Sequence, residues 1–263
     1  MPYRIDLRDA PDDAFDRLVG LGALDVEQFA DGLAALLPDG VAVARVTRAL
    51  GVDNVSVSPA QGHDDGSVWI LSRRPVRVGR LLIVPAHMPA RPGALRLGDG
   101  PAFGTGLHAT TGLCLEALQE TLDIEGPARV LDVGTGSGVL ALAALLGGVP
   151  RAIGLDIDDD SLRVAAENAR LNAFTARMQL VRGGPEAVQG SWPLVLANVQ
   201  AAPLMEMAPA LVRRVEHGGR LVLSGIPSSL APEVEQVYRR LGMRHTRSET
   251  RAGWTALVLH PSW

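Results

Sequence analysis

The sequence predicts an α/β chain: a doubly wound, mostly parallel seven-stranded sheet, preceded by a small N-terminal α+β domain. Three observations carry this. From Pro101 onward, short continuous apolar runs alternate with amphipathic stretches of helical length, which is the pattern of a parallel sheet covered on both faces. One of those runs, Arg129–Val133, leads directly into the glycine-rich "DVGTGSG", Asp132–Gly138. Before Arg73 the pattern differs, with strand-like pieces and helical spacings in no regular alternation.

Taken in order, "YRIDL" reads as a strand and the stretch around Asp12–Leu21 as a helix. Val26, Phe29, Leu33, Leu36 and Leu37 fall at helical spacing and predict a second helix. Strands are expected at Asn54–Ser58 and Val68–Leu71, with the Pro-, Gly- and Asp-bearing "SPAQGHDDGS" as a loop between them. The division that follows is an N-terminal domain over 1–72, a connecting segment over 73–100 containing the strand-like "GRLLIVPAH", and a large domain over 101–263. In the large domain, helices are expected at Thr110–Thr121, Gly138–Leu146, Asp159–Leu171, Leu204–Val215 and Ala231–Leu241. Strands are expected at Arg129–Val133, Ala152–Asp156, Met178–Val181, Leu194–Ala197, Arg220–Ser224, Arg244–Ser248 and Thr255–His260. No helix separates the last two strands, so one of them is expected to be antiparallel.

Composition narrows the chemistry. The chain has 263 residues, 47% hydrophobic and 21% charged, with a net charge of −4. An acidic balance argues against direct nucleic-acid binding. The single cysteine, Cys114, rules out an internal disulfide and favours a reducing compartment. The charged N-terminus has no signal-peptide core, and the most apolar segment, Val139–Leu146, is far short of a membrane span. A cytoplasmic location with no membrane association is therefore expected. All 25 basic residues are arginine. Without lysine there is no Schiff base, no amine nucleophile and no P-loop lysine.

The glycine loop identifies a ligand class. In an open α/β sheet, ligands bind beyond the carboxyl ends of the strands where strand order reverses. Gly134, Gly136 and Gly138 follow one such end, and Asp156 ends the next strand, 22 residues after Gly134. A carboxylate there can accept both hydroxyls of a ribose. Dinucleotide loops favour G-x-G-x-x-G. Here the spacing is G-x-G-x-G with Asp132 two residues ahead, a Rossmann-like variant that suits S-adenosylmethionine (SAM), whose amino-acid tail carries an amine and no phosphate.

Three further stretches, "PAFGTGLHATTGLCLEAL" (101–118), "LVLANVQAAPLMEMAPAL" (194–211) and "GGRLVLSGI" (218–226), together with "AGWTALVLH" near the C-terminus, closely resemble the ribosomal protein L11 methyltransferase family, class I SAM-dependent enzymes. The resemblance runs from about Arg74 to the C-terminus. It implies SAM contacts from Thr111, Gly134, Asp156 and Asn198, beside the loop residues Asp132 and Gly136, with Phe103 and the Gly104–Gly106 turn closing over the methionine end. His108 falls within the same motif and is assigned no proton transfer. No metal is implied. Asn198 is the expected catalytic residue: its amide oxygen can accept a hydrogen from the attacking amine and aim its lone pair at the methyl carbon, a positioning effect. Asn198-Val199-Gln200-Ala201 lacks the N-P-P-aromatic pattern of enzymes that stack a planar target, which disfavours base flipping. Gln200 departs from the family's usual aliphatic residue, and the linker holds one tryptophan, Trp69.

The leading expectation is a protein N-methyltransferase for lysine or α-amine nitrogens, with ribosomal protein L11 as partner. The alternative is a methyltransferase for a small molecule or a different protein. A nicotinamide oxidoreductase is disfavoured because Tyr-x-x-x-Lys cannot occur, and a SAM-binding subunit without catalysis is disfavoured by Asn198.

Overall fold

The computed structural model describes residues 2–29, 32–60, 75–98 and 108–263. The chain divides into two compact units, Met1–Arg74 and Pro75–Trp263. The expected strand Val68–Leu71, Trp69 with it, lies outside the described residues.

The first unit runs β1 (Tyr3–Arg8), α1 (Ala14–Gly20), β2 (Asp25–Phe29), β3 (Gly32–Leu37), α2 (Val43–Leu50) and β4 (Ser56–Pro59). Its sheet has the order β2-β3-β1-β4 with every pairing antiparallel, a split βαβ arrangement of the ferredoxin-like kind. Ile5, Leu18, Leu33, Leu37, Val46 and Leu50 form its core.

The helix expected over Val26–Leu37 is instead the β2–β3 hairpin. Leu33, Ala35 and Leu37 enter that core, while Ala34 and Leu36 on the opposite face are buried as well. A strand covered on both faces has no polar positions, so its apolar run imitates a helical stripe. Gly32 is required by the close approach of the neighbouring strand: a Cβ there would lie 2.1 Å from the Leu7 carbonyl oxygen.

The second unit begins with a three-stranded sheet, β5 (Val76–Val78), β6 (Leu81–Pro85) and β7 (Ala94–Leu97), in which β5–β6 is antiparallel and β6–β7 parallel. There follow α3 (Ala109–Ile124), β8 (Arg129–Val133), α4 (Val139–Leu146), β9 (Arg151–Asp156), α5 (Asp159–Leu171), β10 (Met178–Arg182), β11 (Trp192–Asn198), α6 (Ala201–Glu206), α7 (Ala208–Val212), β12 (Val215–Pro227), α8 (Ala231–Arg240), β13 (Met243–Arg251) and β14 (Trp254–Pro261). The seven-stranded sheet has the order β10-β9-β8-β11-β12-β14-β13. β14 is antiparallel to both its neighbours, and the other pairings are parallel. The helix expected over Leu204–Val215 is two short ones, with Pro209 in the first turn of α7.

Alternate residues of the central strands feed two cores. Val130, Leu194 and Leu196 join Leu95, Leu115 and Leu142 on one face. Leu131, Val133, Val195 and Ala197 join Leu204, Leu211 and Tyr238 on the other. Strand order reverses between β8 and β11, so the carboxyl ends of β8, β9 and β11 meet at one edge of this double-layered core.

Candidate active site

A cleft of about 570 Å³ opens at this switch point, within the size range of small-ligand sites. Its walls come from every strand end that the topology delivers there: Gly134 and Gly136 after β8, Asp156 and Ile157 after β9, Gly183 and Gly184 after β10, Asn198 and Val199 after β11, Gly225 on β12 and Trp254 at the start of β14.

The glycine loop is shaped by steric need. Gly134, Gly136 and Gly138 all take positive φ, at 70°, 53° and 81°. A Cβ on Gly134 would lie 2.3 Å from Val199 Cγ1, so a methyl group at Gly134 would require both a left-handed alanine and a displaced Val199.

Asp132 braces this loop from behind. It is fully buried, and its Oδ2 accepts from Thr135 Oγ1 at 2.7 Å and from the Ala141 amide at 3.2 Å. Its Oδ1 is buried without a hydrogen-bond partner among the described residues. Burial pushes this carboxyl up to about 6, with Asp156 adding to the rise, while the bonds from Thr135 and Ala141 oppose it. Burial, with Asp132 adding to it, also holds the Cys114 thiol far above its usual range and therefore unreactive.

Asp156 reaches the cleft. Its Oδ2 accepts from the Gly136 amide at 2.9 Å and its Oδ1 from the Asp158 amide at 3.1 Å. Each oxygen retains a further lone-pair site. Asn198 ends β11 with Nδ2 donating to Thr111 Oγ1 at 3.3 Å. Its Oδ1 is buried and has no hydrogen-bond partner among the described residues. His108 caps α3, accepting at Nδ1 from the Thr110 amide, and meets Trp254 edge-on with ring centres 5.2 Å apart. Ser224 Oγ donates to the Thr110 carbonyl at 2.9 Å and ties the start of α3 to β12.

Of the residues expected from sequence, Gly134, Gly136, Asp156 and Asn198 converge on the cleft wall. Thr111 is fully buried behind Asn198, with its neighbour Thr110 lining the cleft instead. Phe103 and Gly104 lie outside the described residues. Sequence reasoning did not single out Ile157, the Gly183–Gly184 pair, Met207 or Trp254. The signal for the glycine pair was its position directly after a strand. Ile157 is a large apolar side chain, 76% exposed at the cleft mouth, a trait visible only in the fold.

This geometry fits an adenosyl donor. The loop offers backbone in place of side chains, Asp156 offers acceptors for vicinal hydroxyls, and the buried Asn198 Oδ1 lacks a partner. The family model described as ribosomal protein L11 methyltransferase (PrmA) matches residues 40–261. The chain belongs to the ribosomal protein L11 methyltransferase family. A member from Methylococcus capsulatus is 36% identical over 95% of this chain and 94% of its own. One from Pelobacter propionicus is 37% identical over 89% of this chain and 75% of its own. The crystal structure of a ribosomal protein L11 methylase from Lactobacillus delbrueckii subsp. bulgaricus superposes with a TM-score of 0.67 at 30% identity, covering 73% of this chain and 100% of that one. The L11 methyltransferase family is SAM-dependent, and its class I sheet is the one described above. No helix among the described residues is long and apolar enough to cross a membrane.

Proposed function

We propose that the protein methylates lysine or α-amine nitrogens of ribosomal protein L11, with SAM in the cleft at the switch point and Asn198 aiming the acceptor. When bound, SAM supplies an electrophilic methyl group on a sulfonium. Asp156 holds the ribose, the glycine loop receives the methionine portion, and Ile157 with Gly183 and Gly184 flanks the base. Asn198 Oδ1 then accepts an N–H of the neutral acceptor amine, turning its lone pair toward the methyl carbon.

The observation that carries this reading is the partnerless Oδ1 of Asn198, held in orientation by the bond from its own Nδ2 to Thr111. A buried acceptor left unmatched is costly unless a ligand completes it. Among the described residues, the titratable groups lining the cleft are His108 and Asp156. Nδ1 of the first caps α3 and both oxygens of the second already accept backbone amides, so the reading places no strong base at the acceptor. Burial next to a cation lowers an amine's proton affinity and so favours the neutral form, whose lone pair attacks.

Residues 1–74 serve in this reading as the module that presents the protein substrate. The Methylococcus relative, named as an L11 methyltransferase, matches across this region as well as the SAM unit. A cytoplasmic location follows from the substrate and the lone cysteine. The test is transfer of labelled methyl from SAM to purified L11 and, in parallel, to small metabolites. Label on L11 amines supports the reading. Label confined to metabolites moves the small-molecule alternative ahead.

A further inference from the structure

The helix α5 carries an asparagine pair, Asn168 and Asn172, whose amides are spent on backbone rather than on solvent. Asn172 Oδ1 accepts from the Arg96 amide at 2.8 Å and its Nδ2 donates to the Arg96 carbonyl at 2.7 Å. Asn168 Oδ1 accepts from the Gly98 amide at 2.7 Å. β7 is an edge strand of its sheet, and the two side chains supply the ladder it otherwise lacks. The spacing explains the pair: residues four apart on a helix rise about 6 Å, close to the rise of about 6.8 Å for residues two apart on a strand.

Asn168 does a second thing that Asn172 does not. Its Nδ2 donates to the Ser137 carbonyl at 2.9 Å, inside the glycine loop. Asn168 is 1% exposed, so one planar amide joins two backbone segments in a space closed to water. Ser137 lies between Gly136, which lines the cleft, and Gly138, whose positive φ starts α4. Fixing the Ser137 carbonyl fixes the plane of the Ser137–Gly138 peptide, the last of the loop before α4. At the other end, Gly98 is the residue from which the chain enters 99–107, the stretch that contains Phe103 and Gly104.

The geometry points to Asn168 as a positioning residue for donor binding: it sets the glycine loop and the exit of β7 in one fixed relation, and so governs affinity for SAM rather than the methyl-transfer step. This rests on the cleft being the donor site. Asn172 provides the internal control, since it shares the ladder but makes no bond to the loop.

The experiment uses full-length protein and calorimetric binding of S-adenosylhomocysteine, which needs no acceptor. Asn168→Asp keeps the shape but turns an acceptor toward the Ser137 carbonyl, and it should weaken binding about tenfold or more. Asn172→Ala should lower thermal stability and leave the affinity unchanged. In turnover, Asn168→Asp should raise KM for SAM with kcat near the parent's at saturation. Should Asn168→Asp fail to fold, Asn168→Ala carries the same expectation. Parent-like affinity in the Asn168 variant, or equal weakening in both variants, overturns the inference. A parent protein that binds no S-adenosylhomocysteine overturns instead the reading of the cleft.

Discussion

Asn198 and Thr111 stand 87 positions apart in sequence and meet through a 3.3 Å bond from the Asn198 amide nitrogen to the Thr111 hydroxyl. The bond decides which end of the amide faces the cleft. With Nδ2 committed to Thr111, the buried Oδ1 is the end left for a substrate N–H. Asn198→Ala should therefore lower turnover on the order of 100-fold, well beyond any change in S-adenosylhomocysteine affinity. Thr111→Val leaves the amide in place but unoriented, and turnover should fall by a smaller factor. Equal losses in turnover and affinity for Asn198→Ala would make Asn198 a donor-binding residue only.

Asp156 serves two masters, the Gly136 amide within the loop and the Asp158 amide ahead of α5. Asp156→Ala removes the carboxylate offered to the ribose and loosens the loop together. Charge-assisted hydrogen bonds are worth about 1.5–3 kcal/mol each, so affinity for SAM should drop at least about tenfold. Calorimetry on the variant checks this, and an unchanged dissociation constant would exclude Asp156 from the donor site.

Gly134→Ala tests the loop's geometry directly. The residue sits at φ 70°, where an L side chain costs about 1–2 kcal/mol, and the added Cβ would meet Val199 Cγ1. The substitution should lower thermal stability and weaken donor binding. Adding Val199→Ala should recover the part of the loss that comes from the collision while the backbone cost remains. A double variant no better than Gly134→Ala would show that the backbone conformation alone dictates glycine here.

The Asp132 carboxyl titrates near 6 in the folded chain, above its ordinary value of 3.8. Folding therefore favours the protonated form, and ionisation of Asp132 destabilises the fold as pH rises from about 4 to 6. Above that window the destabilisation is complete, about 3 kcal/mol for a two-unit shift. In Asp132→Asn the amide oxygen can take the bonds from Thr135 and Ala141, and no charge forms. The unfolding free energy of the parent should fall relative to the variant between pH 4 and 6, as measured by denaturant titration. A difference that stays flat across that range would contradict the burial argument.

The parts of the fold that were legible from sequence are those where pattern and packing agree. β8 and β9 are short apolar runs because each is covered by both cores, and their ends carry the glycines and Asp156. The β2–β3 hairpin was not legible, because Ala34 and Leu36 are buried on the face where polar residues would have revealed a period of two. In the site, Asp156 followed from spacing, whereas Asn198 came from resemblance, since one asparagine after a strand carries no chemistry by itself. Ile157, Gly183 and Trp254 belong to separate strand ends, and only the order β10-β9-β8-β11-β12-β14 brings them to one cleft.

The proposed recognition role of the first unit yields a test by removal. Its core is built from residues of its own, Ile5 to Val55, and the two cores of the second unit draw only on residues from Val76 onward. Among the described residues, those that line the cleft belong to the second unit. A protein beginning at Pro75 should stay folded, bind S-adenosylhomocysteine with the full-length affinity, and lose methylation of L11. Circular dichroism, calorimetry and labelled-methyl transfer report the three properties separately. If the shortened protein methylates L11 at the full-length rate, residues 1–74 are not the recognition element, and the acceptor must be read by the cleft and its rim alone.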